Sequence, residues 1–381
     1  MTNNSLPTPL GQRTRVDVRA IEHELNELWK QAADEDGESG ANRHVVTRTC
    51  VLNLVVVTSG GLAAERANET VAKLMGRYPN RAIVISAAPH DPQDLLDAWA
   101  QAHCQMPSPG RPLVCGEQIS IEARGPAVDR VPSTVLSLLV PQVPVMLWWP
   151  RGEPFDDQRF AKVNDLLDRV IVDSATFDAP EAGLAHMAAQ LPSGIRMSDL
   201  CWSRLTPWRE LVAQFFDAPA LVAHLAEIAR VTVDYEARAG EAPDRSQALL
   251  LVSWLAARLG WRALGPLAEQ SGASTLRLAG ADGGEIAVEL RPAEPKDDYL
   301  DRLAALTIEC RRARFSVARD DTPDCAVARS EVEGMQPLVR KVRLERLDEA
   351  GLIGEELRLL GRDQTFEEVL RVAAALIPPA G

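Results

Sequence analysis

The chain has no apolar run long enough to cross a bilayer: the longest, Val51–Val57 and Val143–Trp149, are of strand length. Its N-terminus, MTNNSLPTPLGQRTRVDV, has no apolar stretch behind a basic start, so no secretory signal is expected and a cytoplasmic protein is. The six cysteines (Cys50, Cys104, Cys115, Cys201, Cys310 and Cys325) contain no CxxC pair. That predicts free thiols, several of them buried, and no zinc; His103, Cys104 and Cys115 are too sparse a set to hold a metal. Positive charge is in deficit, with 41 Lys and Arg against 54 Asp and Glu and a net charge of −13, which argues against a duplex nucleic-acid partner. Catalytic signatures are missing too. There is no GxSxG, no GxGxxG and no P-loop lysine, so no catalytic residue and no cofactor is assigned.

What is present is a well-built globular chain. Its 381 residues are 46% hydrophobic and 25% charged, too long for one ordinary core, and two domains are expected. Residues 1–45 read as a leader: Val18, Ile21, Leu25 and Leu28 have helical spacing, and DEDGESGAN (34–42) reads as an acidic loop. From 46 to 178 the β-branched runs CVLNLVVVT, RAIVIS, VPVMLWW and DRVIVDS alternate with helical stretches such as ERANETVAKLMGRY and VPSTVLSLLV. Strands covered on both faces look like this, so an α/β domain with a mainly parallel sheet is predicted. RPLVCGEQISIEARG (111–125) alternates instead, as an antiparallel or edge strand would. Glu117 there shares the parity of the apolar positions, and a bulge at Gly116 is the favoured explanation. From 179 to 381 a helix, RSQALLLVSWLAARLG, precedes period-two runs, a hairpin signal at Asp282-Gly283 and a last helix capped by Thr365 and Glu368. An α+β domain with a largely antiparallel sheet is predicted there.

Two places remain for function. VVVTSGGLAAERANETV runs a strand through Ser-Gly-Gly into a helix, where backbone N–H groups could hold an anion. A capped strand–helix turn without a ligand is the favoured reading. The other place is DLCWSRLTPWRELVAQFFD (199–217). Thr206 reads as an N-cap, Pro207 as the first helical residue, and Trp208, Leu211, Val212, Phe215 and Phe216 as one apolar face. Trp202, Arg204 and Arg209 are left at the helix entrance, and Trp and Arg are enriched at binding hot spots. LWWPRGEP adds Trp148, Trp149 and Arg151 to these partner-contact candidates, with Trp208 beside them. A non-catalytic binding protein is the first class the residues suggest; the alternative is a sugar-phosphate or nucleotide-binding enzyme whose site lies near Thr58–Gly61.

Several long motifs, in order, resemble one family. RTCVLNLVVVT (48–58), RAIVI (81–85), CGEQISIEARG (115–125), VPSTVLSLLVPQVPVMLWWPRG (131–152), DRVIVDSATF (168–177) and DLCWSRLTPWRELVAQFFD are similar to the OpcA family, the glucose-6-phosphate dehydrogenase assembly proteins of bacteria. The likeness is dense over 48–217 and looser beyond. It implies a non-enzymatic partner that assembles or activates glucose-6-phosphate dehydrogenase in the oxidative pentose phosphate pathway, the supplier of NADPH. No membrane, nucleic acid, metal or cofactor is implied. In cyanobacterial members thiol redox state is linked to activation. Cys201, expected to be accessible at the helix entrance, is the residue to consider first for such a switch.

Overall fold

Among the described residues the first ten strands share one sheet: β1 (Thr8–Leu10), β2 (Arg15–Val16), β3 (Val46–Arg48), β4 (Asn53–Thr58), β5 (Arg81–Ala88), β6 (Leu95–Gln105), β7 (Leu113–Arg124), β8 (Val145–Trp149), β9 (Arg169–Val172) and β10 (Met197–Asp199). This computed structural model describes residues 8–10, 15–16, 20–38, 46–48, 50–105, 113–238, 244–270, 272–295, 303–359 and 361–378. Across the sheet the order is β1-β6-β7-β5-β4-β8-β9-β10, with β2 also beside β6 and β3 also beside β7. From β3 to β9 the strands pair in parallel, except β6, which is antiparallel to β7, β1 and β2. The β-branched runs form the centre because strands covered on both faces must be apolar throughout; Leu54 and Val56 of β4 are fully buried.

Helices α1 (Ile21–Glu38), α2 (Leu62–Met75), α3 (Val131–Leu138) and α4 (Gln158–Ala161) belong with this sheet. From β4 the chain steps to β5 and on to β7; it then crosses through α3 to β8 and β9 on the other side of β4. The direction of winding therefore reverses between β4 and β8, the switch point of a doubly wound fold. This unit comprises Met1–Asp173, Ile195–Ser198 and Asp348–Arg362. Its last piece is a helix at Glu349–Leu357 that packs on α2: Thr70 donates to Glu349 at 3.0 Å, Lys73 pairs with Asp348, and a Cβ on Gly354 would lie 2.9 Å from the Tyr78 ring.

Two local readings change. Part of the acidic run, residues 34–38, is helical, because α1 continues to Glu38; positions 39–42 lie outside the described residues. β7 is neither an edge nor bulged, since its register with β6 is unbroken from Leu95↔Arg124 to Gln105↔Val114. Gly116 is there for space: a Cβ would sit 2.9 Å from the Asn80 carbonyl oxygen, with Glu117 N donating to that same oxygen.

The second unit, Ser174–Gly194, Asp199–Leu347 and Asp363–Gly381, is built on β11 (Ile228–Glu236), β12 (Arg262–Ala263), β13 (Ala268–Gln270), β14 (Ala273–Ala279), β15 (Glu285–Ala293), β16 (Leu303–Cys310), β17 (Ala313–Arg319), β18 (Cys325–Val332) and β19 (Leu338–Arg343). Their order is β12-β14-β15-β11-β16-β17-β18-β19, with β13 beside β14, and only the β11·β15 pairing is parallel. Period two is visible in burial: Ala313, Phe315 and Val317 of β17 point inward, while Arg314 is exposed. The β14–β15 hairpin turns at the expected Asp282-Gly283, with Gly283 at φ +84°.

The remaining helices are α5 (Pro180–Gln190), α6 (Leu200–Arg204), α7 (Thr206–Gln214), α8 (Pro219–Val222), α9 (Ser246–Leu259), α10 (Glu349–Leu357, in the first unit) and α11 (Gln364–Leu376). α9 is buried around nearly its whole circumference, as its all-apolar LLLV centre requires. Two caps differ from expectation. Thr206 is already helical, with Leu205 at the N-cap and no side-chain cap. At α11 the cap is Asp363, whose carboxylate accepts from Phe366 N at 2.9 Å, and Thr365 lies inside the helix. An aspartate one residue ahead of the first helical position satisfies the free N–H groups directly.

Candidate functional site

The carboxyl ends of β4, β5 and β8 are where a doubly wound sheet opens a crevice. β4 ends at Thr58, whose hydroxyl donates to Ile85 O at 2.9 Å and ties the strand end to β5. The chain then passes Ser59 and two glycines with positive φ, Gly60 at +92° and Gly61 at +58°. Gly60 is also sterically required, since a Cβ there would lie 2.9 Å from Ser86 Oγ. α2 begins at once with Gly61 as its N-cap and no side-chain cap, so the favoured picture of a capped turn does not hold. Its first turn is open to solvent, with Leu62 72% exposed.

Beside this loop, between the sheet and α3, lies a cavity of about 280 Å³. The strand residues that face it alternate, Val55 and Val57 on β4 and Val145, Leu147 and Trp149 on β8, as the pleat dictates. Val131, Val135 and Leu139 close the opposite wall. Its polar lining is confined to Thr58, Ser59, Arg151, Asp157 and Arg159, and Asp157 is already paired with Arg159 through two hydrogen bonds. Each carboxylate oxygen of Asp157 accepts from the guanidinium, and this pairing together with Asp129 holds the Arg159 charge above its ordinary range.

Of the seven contact candidates, two meet at this cavity. Trp149 forms part of its wall, and Arg151, exposed, sits at its lining. Trp148, the next residue along β8, points to the other face and is fully buried. In the second unit the tryptophans also turn inward. Trp202 is 3% and Trp208 1% exposed. Trp202 Nε1 donates to Asp363 at 3.0 Å, its ring stacks on Phe366 at 5.7 Å, and the Arg209 guanidinium lies 3.5 Å above it. Arg209 also donates to Thr206 Oγ1 at 2.8 Å, and Arg204 reaches to within 3.9 Å of Cys201 Sγ. Trp202 is thus not left at the helix entrance: it is packed beneath Arg209.

The thiols need correction as well. Cys201 is fully buried, not accessible, because Asp199 caps α6 by accepting from Cys201 N at 3.0 Å and turns the side chain inward. Cys115 is disulfide-bonded, against the expectation of free thiols; its backbone partner across the β6–β7 ladder is position 104. Burial pushes the Cys50 thiol up, and burial with Glu227 nearby pushes Cys310 up to about 12.

A buried polar cluster escaped the residue-by-residue reading. Glu117 is inward-facing and 4% exposed, and it accepts from Arg81 Nε at 2.7 Å and Trp29 Nε1 at 2.7 Å. Arg81 also donates to Leu138 O at 2.8 Å and to Glu22 at 2.5 Å. Burial works against its charge, yet Glu117 and Glu22 together hold it above the ordinary arginine range. Close by in sequence, His103 Nε2 lies 2.9 Å from Gln118 Oε1, and burial lowers its basicity. The parity of Glu117 was the one signal of this cluster in the sequence. The Arg81–Glu117 pair lies at the amino ends of β5 and β7, away from the crevice, and reads as a satisfied core pair, while His103 Nδ1 nearby is buried without a partner among the described residues.

Fold and crevice define a doubly wound α/β protein joined to a mainly antiparallel α+β unit, with an apolar cavity at the switch point. Residues 53–189 match the family model described as the glucose-6-phosphate dehydrogenase subunit N-terminal domain, and residues 195–370 match that of its C-terminal domain. A protein of Nostoc punctiforme named putative OxPP cycle protein OpcA is 30% identical over 273 residues, covering 69% of this chain and 57% of that one. A protein of the same name from Synechocystis is 27% identical over 311 residues, covering 78% and 64%. The chain therefore spans about three fifths of the length of these curated relatives. It belongs to the OpcA family. Among solved structures, KijD10, a 3-ketoreductase from Actinomadura kijaniata in complex with NADP and TDP-benzene, is 10% identical over 85% of this chain and 95% of that one, with a TM-score of 0.47. An NAD-binding oxidoreductase from Klebsiella pneumoniae is 10% identical over 85% and 96%, with a TM-score of 0.48.

Proposed function

We propose that this protein is a non-catalytic assembly factor and activator of glucose-6-phosphate dehydrogenase, acting in the cytoplasm in the oxidative pentose phosphate pathway. The observation that carries the reading is that two family models named for a glucose-6-phosphate dehydrogenase subunit match the chain in order, over 53–189 and 195–370. The titratable lining of the crevice is Arg151 and the Asp157–Arg159 pair. No helix among the described residues is long and apolar enough to cross a membrane. The dehydrogenase contact is proposed at the surface-reaching members of the candidate set, Trp149, Arg151, Arg204 and Arg209. Trp148, Trp202 and Trp208 support them from the core, and Cys201 could respond to oxidants only after local opening.

The test is titration of the purified full-length chain into its cognate dehydrogenase, following NADPH formation and the enzyme's oligomeric state together. A rise in activity with a shift to the larger oligomer is expected. An enzyme unchanged over a wide concentration range and under both oxidising and reducing conditions would overturn the reading. The open first turn of α2 beside the cavity favours a second reading, a sugar-phosphate or nucleotide-binding enzyme. Turnover, or tight calorimetric binding of glucose 6-phosphate, 6-phosphogluconolactone or NADP by the isolated chain, would decide for it.

A further inference from the structure

We infer that the cavity between the parallel sheet and α3 is a binding site for a small amphipathic anion, with an aromatic or acyl body and one carboxylate, sulfonate or phosphate head. This rests on the geometry of the first unit and not on the dehydrogenase reading.

The size comes first. Protein cores close-pack, and voids larger than a few waters are uncommon. An apolar cavity of about 150 Å³ stays dry and takes up benzene. This one is about 280 Å³, room for a fused ring pair or a medium acyl chain. Its walls are mostly the aliphatic side chains of β4, β8 and α3, with the Trp149 indole among them and the hydroxyls of Thr58 and Ser59 near one end.

The head group follows from the lining charges. These are Arg151, Arg159 and Asp157, and Asp157 is neutralised by Arg159. One positive charge is left over, on a chain whose net charge is −13. Among the described residues Arg151 makes no hydrogen bond and no ion pair, and its side chain is exposed. Ala63, in the first turn of α2, lines the same cavity; that helix end has no side-chain cap, and Glu65 in the same turn offsets part of its dipole. An anion entering this cavity is drawn chiefly by Arg151.

A dinucleotide is a poor match for the same place. The first carboxylate after β5, Asp91, is already engaged by Gln93 N at 2.9 Å and by Arg124 and is not free to take a ribose diol. Ser59-Gly60-Gly61-Leu62 also lacks the glycine spacing that lets a pyrophosphate approach. The inferred ligand is therefore compact and mostly apolar.

The probes are anilinonaphthalene sulfonate, an aromatic anion that fluoresces when desolvated, and N-phenylnaphthylamine, its neutral twin without the sulfonate. The full-length wild-type chain is titrated with each. Both are expected to bind at one saturable site, the anion more tightly. Arg151→Ala, an exposed substitution with no partner to lose, should weaken the anion about tenfold and the neutral twin less than twofold. Leu139→Trp, a half-buried position on the α3 wall, should remove both signals while the far-ultraviolet circular dichroism and the melting temperature stay native. Three results would overturn the inference. They are no saturable binding to wild type, full binding by a natively folded Leu139→Trp, or an Arg151→Ala chain that binds both probes as wild type does. Displacement of the anion by micromolar NADP would also overturn it, in favour of a dinucleotide site.

Discussion

Trp149 in the first unit stands half-buried on the wall of a cavity. Trp202 and Trp208 in the second unit are almost wholly buried, packed against Phe366, Arg209 and Arg319. Both regions are rich in tryptophan and arginine, and their sequences look equally suited to a binding surface. The difference is in what lies opposite. The α7 tryptophan falls on an apolar helical face with the β17 side chains beneath it, so burial is the cheapest outcome. At the carboxyl end of β8, α3 and the segment from Asp157 to Leu167 provide the cover, and an opening remains. Residue type proposes a hot spot; the neighbouring element decides whether it becomes core or cleft.

The largest test of this contrast is truncation of the two tryptophans. Trp208→Ala should cost about 3–5 kcal/mol in urea unfolding, the range for a large buried aromatic. Trp149→Ala should cost less than about half of that, because half its surface partners are already missing. Equal losses would erase the distinction between a filled core and an open wall. Next in size is the Arg81–Glu117 pair. Glu117→Ala leaves a buried guanidinium with only Glu22 and a carbonyl, and should cost about 3 kcal/mol, while joint replacement by Met and Leu should recover most of it. A single mutant as stable as wild type would mean water already shields that charge. The smallest effect concerns caps. Asp363→Ala removes both the α11 cap and the Trp202 partner, and a loss of about 1–2 kcal/mol is expected. Thr206→Ala should stay within about 0.5 kcal/mol, since Thr206 caps nothing. Thermal melts of the two variants side by side would show it.

Much of the architecture was legible, and the exceptions share a cause. Runs such as NLVVVT and RVIV announce covered parallel strands because β-branched residues in unbroken series suit no other setting. Leu95–Gln105 gave no such signal, since its inward positions are Ala98, Ala100 and Ala102, weak strand formers that pack beneath α1. Gly116 was misread because a glycine inside a strand has two meanings, a bulge or a close approach, and Asn80 lies 36 residues away in sequence. The parity of Glu117 exposed an inward carboxylate, but its partner Arg81 is equally remote. At the candidate site, the Ser-Gly-Gly turn and Trp149 with Arg151 were visible as separate motifs. The cavity that joins them was not, because a void depends on α3, β4 and β8 together.

The helix at Glu349–Leu357 gives the chain an order of completion. A ribosome delivers residues from the N-terminus, and this helix, which covers part of α2 in the first unit, emerges only after every strand of the second sheet has been made. The first unit therefore waits, unfinished, through the synthesis of some 175 later residues, with the α2 surface that meets Gly354 and Glu349 still bare. A chain stopped near Asp173 carries that bare surface permanently. Premature termination here yields a sticky fragment needing a chaperone, where a protein with its units strung end to end would release a finished domain.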